Sequence, residues 1–109
     1  MKPIVIHYWS ILARASGLFR MCVEKNVPFE HQKDMKKFGA AFFGADSSNL
    51  APPIIVDGDL TLSQSSACHM YLGKKLGFTT GIDTPEAEAR AIQCMIDLED
   101  LHSETSRYF

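Results

Sequence analysis

The segment 53–62, PIIVDGDLTL, most narrowly limits what this chain can fold into. A short β-branched run ends at Asp57-Gly58, and an alternating Leu-Thr-Leu follows at once. An Asp-Gly pair between two such runs is a strong short-range signal for a β-hairpin. We therefore expect two antiparallel strands, 53–56 and 60–62, joined by a tight turn at Asp57-Gly58.

Two prolines stand directly before the first strand of this hairpin. Proline cannot donate to a sheet ladder, so Pro52 and Pro53 fit only at a strand's first residue or in a special turn. An ordinary polyproline turn is one interpretation. The other is a cis bond before Pro53, because X-Pro bonds are cis far more often than other peptide bonds. Residue 52 would then offer its main chain to a ligand lying beside it as an extra strand.

The first half of the chain shows a strand, a helix and a second strand. Residues 4–9 (IVIHYW) predict a strand, and residues 29–32 (FEHQ) supply a short second one. Between them a helix ends near Asn26, since Pro28 blocks its continuation. Apolar residues at helical spacing give this helix one buried face: Leu12, Ala15, Leu18, Phe19, Cys22 and Val23. Residues 33–50 allow at most a short, irregular helix.

A second helix follows the hairpin, from Ser65 to Gly77. Its predicted inward residues are Ala67, Met70, Tyr71 and Leu76. The order β-α-β-(α)-β-β-α, with a parallel first half and an antiparallel hairpin at one edge, is the thioredoxin-like arrangement of an α/β domain. We expect this domain to span residues 1–79.

Residues 80–84 are expected to be a linker, and 85–109 to begin a further helical unit. Thr84 is the predicted N-cap of the new helix, with Pro85 at its first position. Its apolar stripe is predicted to comprise Ala87, Ala91, Cys94, Leu98 and Leu101. One helix cannot bury such a stripe by itself, so it must pack on the first domain, on another chain or on further helices.

Composition excludes several classes of function. The 109 residues are 46% hydrophobic and 22% charged, ordinary values for a soluble globular domain. The net charge of −2 gives no reason to expect nucleic acid or an anionic membrane as a partner. No apolar run approaches the roughly 20 residues that cross a bilayer, and no secretory signal is apparent, so the cytoplasm is the expected location.

The three cysteines argue against a disulfide framework and against a metal site. Cys22, Cys68 and Cys94 are odd in number and lack the spacing typical of zinc ligands. Cys22 and Cys68 lie among apolar residues, so we expect both to be buried. The four histidines are scattered, and none is assigned a role.

Two ends of predicted elements carry groups that suit a ligand. The Gln64-Ser65 pair stands at a helix start, where free N–H groups and the helix dipole favour an anion; helix capping alone is the alternative. Tyr8 ends the first strand, where ligands collect in open α/β sheets, and its phenol can donate to an anionic centre. A purely structural aromatic is the alternative there. Ser10 is a competing hydroxyl, and Arg14 lies just inside the first helix.

Together these residues resemble the N-terminal, glutathione-binding domain of cytosolic glutathione S-transferases of the tyrosine type, the pi, sigma and mu classes. The resemblance covers about residues 3–78 and continues weakly through 85–101. DGDLTLSQSSA is close to the pi-class hairpin and helix start. PIVIHYW followed by Arg14 is similar to the first strand, catalytic tyrosine and early arginine of these classes. MIDLEDL, 95–101, resembles the first helix of the family's all-helical second domain, which would be truncated here.

The resemblance implies that glutathione is the substrate and a small apolar electrophile its partner, with no metal or nucleotide. Tyr8, or alternatively Ser10, would favour the glutathione thiolate, which is the nucleophile. In a full-length protein a homodimer is expected, in which Asp100 reaches the γ-glutamyl amine of glutathione across the interface. The remaining implied glutathione contacts are Arg14, Pro52, cis-Pro53, Gln64 and Ser65. The implied wall of the electrophile site consists of Trp9, Ile11 and Leu12.

One departure from the family pattern bears on affinity. Pro52 stands where the family usually has an N–H that bonds glutathione, so we expect weaker or altered binding. A non-catalytic binding or structural module, such as the S-crystallins of the same family, is the alternative function. A thiol-disulfide oxidoreductase is disfavoured because the position after the first strand reads YWSIL, without cysteine.

Overall fold

The structure, a computed structural model, describes residues 2–10, 13–34 and 52–106, and it contains both strands and helices. The elements are β1 (Ile4–His7), a 3-10 turn (Ala13–Ala15), α1 (Ser16–Glu24), β2 (Phe29–Gln32), β3 (Ile54–Asp57), β4 (Leu60–Ser63), α2 (Ser65–Lys75) and α3 (Pro85–Ser106). The irregular helix expected within 33–50 falls almost wholly outside the described residues.

The four strands form one mixed sheet in the order β2-β1-β3-β4. β1 and β2 are parallel, with Ile4 opposite Phe29, whereas β3 is antiparallel to both of its neighbours. A parallel pair requires a crossover, and α1 supplies it. The predicted α/β arrangement, a parallel first half with a hairpin at one edge, is confirmed.

The hairpin turn lies one residue later than the sequence predicts. Asp57 pairs with Leu60, so the turn residues are Gly58 and Asp59. Gly58 has φ 61°, a positive angle that tight hairpin turns need and that glycine adopts without a steric penalty. β1 is also shorter than predicted and ends at His7 rather than at residue 9.

The core lies between the sheet and the helices α1 and α2. Its fully buried members are Ile4, Ile6, Ala15, Leu18, Cys22, Ile55, Cys68 and Leu72. The burial of Cys22 and Cys68 is as predicted. Two other assignments are wrong, because Val23 is 67% exposed and Ala67 is also exposed. α2 turns Cys68 and Leu72 fully inward, while the predicted Tyr71 and Leu76 are half-buried and pack against the same core.

α3 begins as predicted. The backbone N–H of Ala87 donates to Thr84 Oγ1 (3.1 Å), so Thr84 is the N-cap, and Pro85 is the first residue of the helix. The Ser66 hydroxyl donates to the Met95 carbonyl (3.4 Å) and joins α2 to α3. No helix within the described ranges combines the length and the apolar character that a bilayer crossing needs.

The face that α3 turns toward the domain differs from the predicted stripe. Its half-buried residues recur every three or four positions: Ala87, Ala91, Met95, Glu99 and His102. Of the predicted stripe, Ala87 and Ala91 are half-buried, whereas Cys94, Leu98 and Leu101 are exposed and stay open to packing on another chain or on further helices. The residues of the predicted stripe do not all lie on the face of α3 that is turned toward the domain. Met95 and Glu99 lie on that face instead.

A polar cluster ties the hairpin to the end of α2. The Tyr71 hydroxyl donates to Asp57 Oδ2 (2.5 Å), and Lys75 forms an ion pair with the same oxygen. Lys75 and then Tyr71 hold the pKa of the Asp57 carboxyl below its ordinary value. The same contacts raise the pKa values of Tyr71 and Lys75. The cluster therefore favours the ionised carboxylate in the folded state.

We expect Asp57→Asn to lower the free energy of unfolding at neutral pH by about 1 kcal/mol, since it weakens a charge-assisted hydrogen bond. The unfolded carboxyl titrates near roughly 3.9. Because the pKa is lower in the folded state, the stabilisation is complete above the pKa of the unfolded carboxyl. It is lost as the pH falls through the pKa of the folded protein. Urea unfolding at several pH values measures both effects. Asp59→Asn, in the adjacent turn, is the control, and an equal loss there would contradict the prediction.

Candidate functional site

The sheet register gathers residues from three parts of the chain at one end of the sheet. Ile54 pairs with His7 on one side and with Ser63 on the other. The residues one position beyond this row therefore lie at the same end: Tyr8, Pro53 and Gln64. This is the carboxyl end of β1, where ligands bind in open α/β sheets.

Two prolines lead into β3 at this end. The peptide bond between Pro52 and Pro53 is cis. Pro53 is fully buried, and its carbonyl lies 3.9 Å from the Sγ atom of Cys68 in α2. Pro52 is half-buried and, having no N–H, presents only a carbonyl to a neighbouring strand or ligand.

The Tyr8 side chain is buried, with 6% of the residue exposed. Its phenolic oxygen accepts the backbone N–H of Arg14 (3.1 Å). Among the described residues no acceptor takes the phenol's own proton. A hydroxyl that accepts one bond and keeps its proton is ready to donate to a further group.

The main chain of Tyr8 is held by β2. Its N–H donates to the Gln32 carbonyl (3.2 Å), one step beyond the β1–β2 ladder. The His31 ring donates from Nε2 to the carbonyls of Trp9 (2.9 Å) and Tyr8 (3.3 Å). Carbonyls only accept hydrogen bonds, so Nε2 must carry a proton.

Arg14 connects Tyr8 to both α2 and α3. Its carbonyl accepts a hydrogen bond from the Ser65 hydroxyl (3.1 Å), while its backbone N–H donates to the Tyr8 phenolic oxygen. Its guanidinium pairs with the Glu99 carboxylate and donates to Ser103 Oγ (2.9 Å). One residue thus contacts the end of β1, the first turn of α2 and the middle of α3.

The first turn of α2 has an unusual entry. Gln64 precedes it with φ 74° and ψ 118°, a backbone conformation that non-glycine residues rarely adopt and that concentrates at ligand sites. The Gln64 side chain is exposed and makes no capping bond. Ser65 is buried, and its hydroxyl donates to the Arg14 carbonyl, so neither Gln64 nor Ser65 caps the helix with its side chain.

A groove of about 430 Å³ lies between the start of α1, the start of α2 and the middle of α3. Arg14, Ser65, His69, Met95 and Glu99 are among its lining residues. The groove is open to solvent, and its lining includes the Arg14–Glu99 ion pair and the Met95 thioether. It therefore suits a ligand with both polar and apolar parts.

A close approach of α1 and α2 forms one wall of this groove. His69 Nδ1 donates to the Ser65 carbonyl (2.6 Å), which fixes the ring on α2. The opposite edge of the ring faces Gly17, where a Cβ atom would stand 2.4 Å from His69 Nε2. Only glycine fits at this position of α1.

The other predicted site residues are spread around this end. Trp9 is 42% exposed, and Ser10 is exposed. Asp100 is exposed on α3 and does not line the groove, whereas its neighbour Glu99 does. Two predicted residues of the electrophile wall lie outside the described residues: Ile11 and Leu12.

The contacts of His31, His69 and Glu99 were missed by the sequence analysis. His31 and His69 each donate a hydrogen bond to a main-chain carbonyl, and the His69 ring also packs against Gly17. Glu99 occupies the inward line of α3, four residues after Met95. The four-residue spacing of Met95 and Glu99 could have indicated that Glu99 faces inward. A charged residue does not fit an apolar pattern, so Glu99 was not included in the predicted stripe.

The buried thiols are unsuited to nucleophilic chemistry. Burial raises the pKa of Cys22 and raises that of Cys68 to about 12, which keeps both protonated at neutral pH. In the described part of the chain, no three His, Cys, Asp or Glu side chains converge as metal ligands would. The polar groups that the structure brings to this end of the sheet include a phenol, a guanidinium and the N-terminus of a helix.

The mixed sheet, its flanking helices and the polar end of β1 define a thioredoxin-like α/β domain. The crystal structure of the glutathione S-transferase from Ascaris lumbricoides is similar, with a TM-score of 0.74 and 23% sequence identity. The match covers 99% of this chain and 51% of that one, so the chain spans about half the length of this structure. At this identity the likeness shows the fold. No family model matches the sequence, and no curated protein sequence does.

Proposed function

We propose that this chain binds glutathione and activates its thiol as the thiolate for conjugation to a small apolar electrophile. The observation that carries the proposal is the Tyr8 phenol at the carboxyl end of β1. Its oxygen accepts the Arg14 N–H, and no acceptor in the described part of the chain takes its proton, which the proposal assigns to a ligand. The likeness of the fold to a glutathione S-transferase supports the choice of ligand.

The chemistry follows from one hydrogen bond. A free thiol has a pKa of about 8.5, so little of it is ionised at neutral pH. A hydrogen bond from Tyr8 to sulfur favours the anion, and bonds to charged groups contribute about 1.5–3 kcal/mol. That range corresponds to roughly one to two pKa units. The Arg14 N–H strengthens the effect, since it draws electron density from the phenol oxygen.

The proposed pose of glutathione uses the end of the sheet on both sides of Tyr8. Its γ-glutamyl carboxylate lies at the N-terminus of α2, where the helix N–H groups and the exposed Gln64 side chain bind it. The Ser65 hydroxyl joins this set only by releasing the Arg14 carbonyl. The cysteinyl main chain lies beside Pro52, which accepts one hydrogen bond through its carbonyl and donates none.

The remaining parts of the proposal concern the electrophile and the assembly. The exposed Trp9 ring forms part of the apolar wall against which the electrophile lies. Asp100, exposed on α3, is free to reach the γ-glutamyl amine in a second copy of the chain. Ile92, Ile96, Leu98 and Leu101 leave α3 with apolar side chains 41–59% exposed, which favours additional packing partners. A cytoplasmic location fits a glutathione-dependent reaction.

Tyr8→Phe tests the proposed function, and we expect a loss of at least about tenfold in the rate of glutathione conjugation to an aryl halide. The phenyl ring keeps the core packing but removes the hydrogen bond to sulfur. Conjugation rates at saturating glutathione measure the effect, with thermal unfolding as a check that the variant remains folded. Ser10→Ala is the matched control, since it removes an exposed hydroxyl two residues on. An unchanged rate for Tyr8→Phe, or a loss confined to Ser10→Ala, would contradict the role of Tyr8.

A non-catalytic glutathione-binding module is the second candidate. Pro52 favours it, because the missing N–H weakens the hold on the cysteinyl part of glutathione near Tyr8. Calorimetric titration with glutathione distinguishes the two functions. Binding without turnover and without ionisation of the thiol would identify the module, and turnover would identify the transferase.

A further inference from the structure

The His31 side chain on β2 makes a contact that the proposed function does not use. Its Nε2 atom lies 2.9 Å from the Trp9 carbonyl and 3.3 Å from the Tyr8 carbonyl. These carbonyls follow the last residue of β1 and so lie beyond the last residue pair of the β1–β2 ladder. One ring N–H is therefore shared between two consecutive carbonyls just where the chain leaves the sheet.

The ring is itself fixed from the other side. Its centroid lies 4.5 Å from that of Phe19 in α1, with the two planes at 39°, and Phe19 is a buried core residue. His31 is also within β2, opposite Ile6 of β1. A side chain fixed at its backbone, at its face and at its nitrogen has few alternative positions, so it transmits a defined geometry.

We propose that His31 is a positioning residue that sets the direction of the Tyr8–Trp9 segment and thereby aims the Tyr8 phenol at the glutathione sulfur. The proposal rests on the proposed function for its catalytic consequence. His31 touches neither substrate nor sulfur, and it acts through the main chain of the two residues that do. Displacement of about 1 Å at a reacting group costs up to roughly a hundredfold in rate, so such a clamp matters.

Two substitutions separate the hydrogen bond from the packing. His31→Phe keeps an aromatic ring against Phe19 and removes the N–H donor. His31→Gln loses the ring but carries an amide donor that reaches the same carbonyls. Glu30→Gln is the control, since this exposed residue is adjacent on β2 and contacts only the Gln32 side chain among the bonds described.

Two readouts test the proposal. Trp9 is the single tryptophan of the chain, so the fluorescence of the protein reports the order of the clamped segment without any ligand. The ultraviolet absorbance of bound glutathione thiolate, titrated against pH, reports how well Tyr8 meets the sulfur. We expect His31→Phe to lower the Trp9 anisotropy and to raise the pKa of the bound thiol, with roughly a tenfold loss of turnover. His31→Gln should recover most of both signals, and Glu30→Gln should match the wild type.

The outcomes distinguish this inference from the proposed function. The positioning role would be overturned if the wild type forms the thiolate and His31→Phe changes neither thiolate formation nor the Trp9 anisotropy. A loss in His31→Gln with none in His31→Phe would also overturn it, because that pattern would show that the ring packing matters and not the donor. A wild type that ionises no thiol would refute the proposed function and with it the catalytic consequence. A Trp9 response to His31→Phe would still support the clamp in that case.

Discussion

Leu72→Ala is expected to lower the free energy of unfolding by about 2–5 kcal/mol. Leu72 is fully buried in α2 and belongs to the core formed with the sheet and α1. Close packing leaves the surrounding side chains little freedom to fill the space of the lost methyl groups, so a cavity remains. Chemical denaturation followed by circular dichroism measures the change.

The control for this variant is Leu101→Ala, the same substitution on a helix position that is 59% exposed. A surface change of this kind is expected to stay within about 0.5 kcal/mol. Equal effects of the two substitutions would contradict the observed phase of α2, in which Leu72 rather than Ala67 faces the sheet.

Gly17→Ala is expected to destabilise the fold by about 1–3 kcal/mol, the range for overpacking a close contact. The added Cβ would stand 2.4 Å from Nε2 and 2.8 Å from Cδ2 of His69. The ring cannot simply swing away, because its Nδ1 atom is bonded to the Ser65 carbonyl at 2.6 Å. The strain is therefore passed to the first turn of α2, where the proposed carboxylate site lies.

A double-mutant cycle and a matched glycine test this explanation. In a His69→Ala background, Gly17→Ala should lose most of its cost, since the opposing ring is gone. Gly73→Ala, in α2, adds a Cβ only in ordinary contact, 3.8 Å from Thr79 Cγ2, and should stabilise the helix by up to about 1 kcal/mol. A cost at Gly17 that persists without the His69 ring would point away from the clash.

Local signals predicted the elements that depend on neighbouring residues in the sequence. The hairpin followed from a turn glycine between a β-branched run and an alternating Leu-Thr-Leu, and the Thr84 cap followed from its position before Pro85. The β2 strand was found at its observed bounds, Phe29–Gln32. These features are set by backbone preferences within a few residues, so they can be deduced without knowledge of the tertiary fold.

Helix faces were predicted less well because they depend on what the helix packs against. Ala67 was predicted to face inward on spacing alone and is exposed, whereas Cys68 and Leu72 are fully buried. Tyr71 packs against the core as predicted, and its hydroxyl also donates to Asp57. In α3 the inward line includes Glu99, since Arg14 offers it an ion pair. A charged residue that pairs across the fold cannot be recognised from hydrophobic periodicity.

The candidate site was predicted in its parts but not in its connections. The fold links Tyr8 to Arg14 and Arg14 to Ser65 by hydrogen bonds. The roles of His31 and His69 could not be predicted, because a scattered histidine gives no local sign of the distant carbonyl that it will meet. Those contacts depend on sheet register and helix crossing, which emerge only when the chain is folded.

Arg14 contacts the sheet end and α2 through its backbone and α3 through its side chain, which affects how this site can change over evolution. Tyr8 and Ser65 bond to its backbone N–H and carbonyl, which every residue except proline provides. Within the described residues, the guanidinium makes the attachment to Glu99 and Ser103. Substitutions at this position can thus retune how α3 is attached while the phenol keeps its hydrogen bond. The hydrogen bond to the Tyr8 phenol and the packing of α3 against the domain can therefore change independently of each other during evolution.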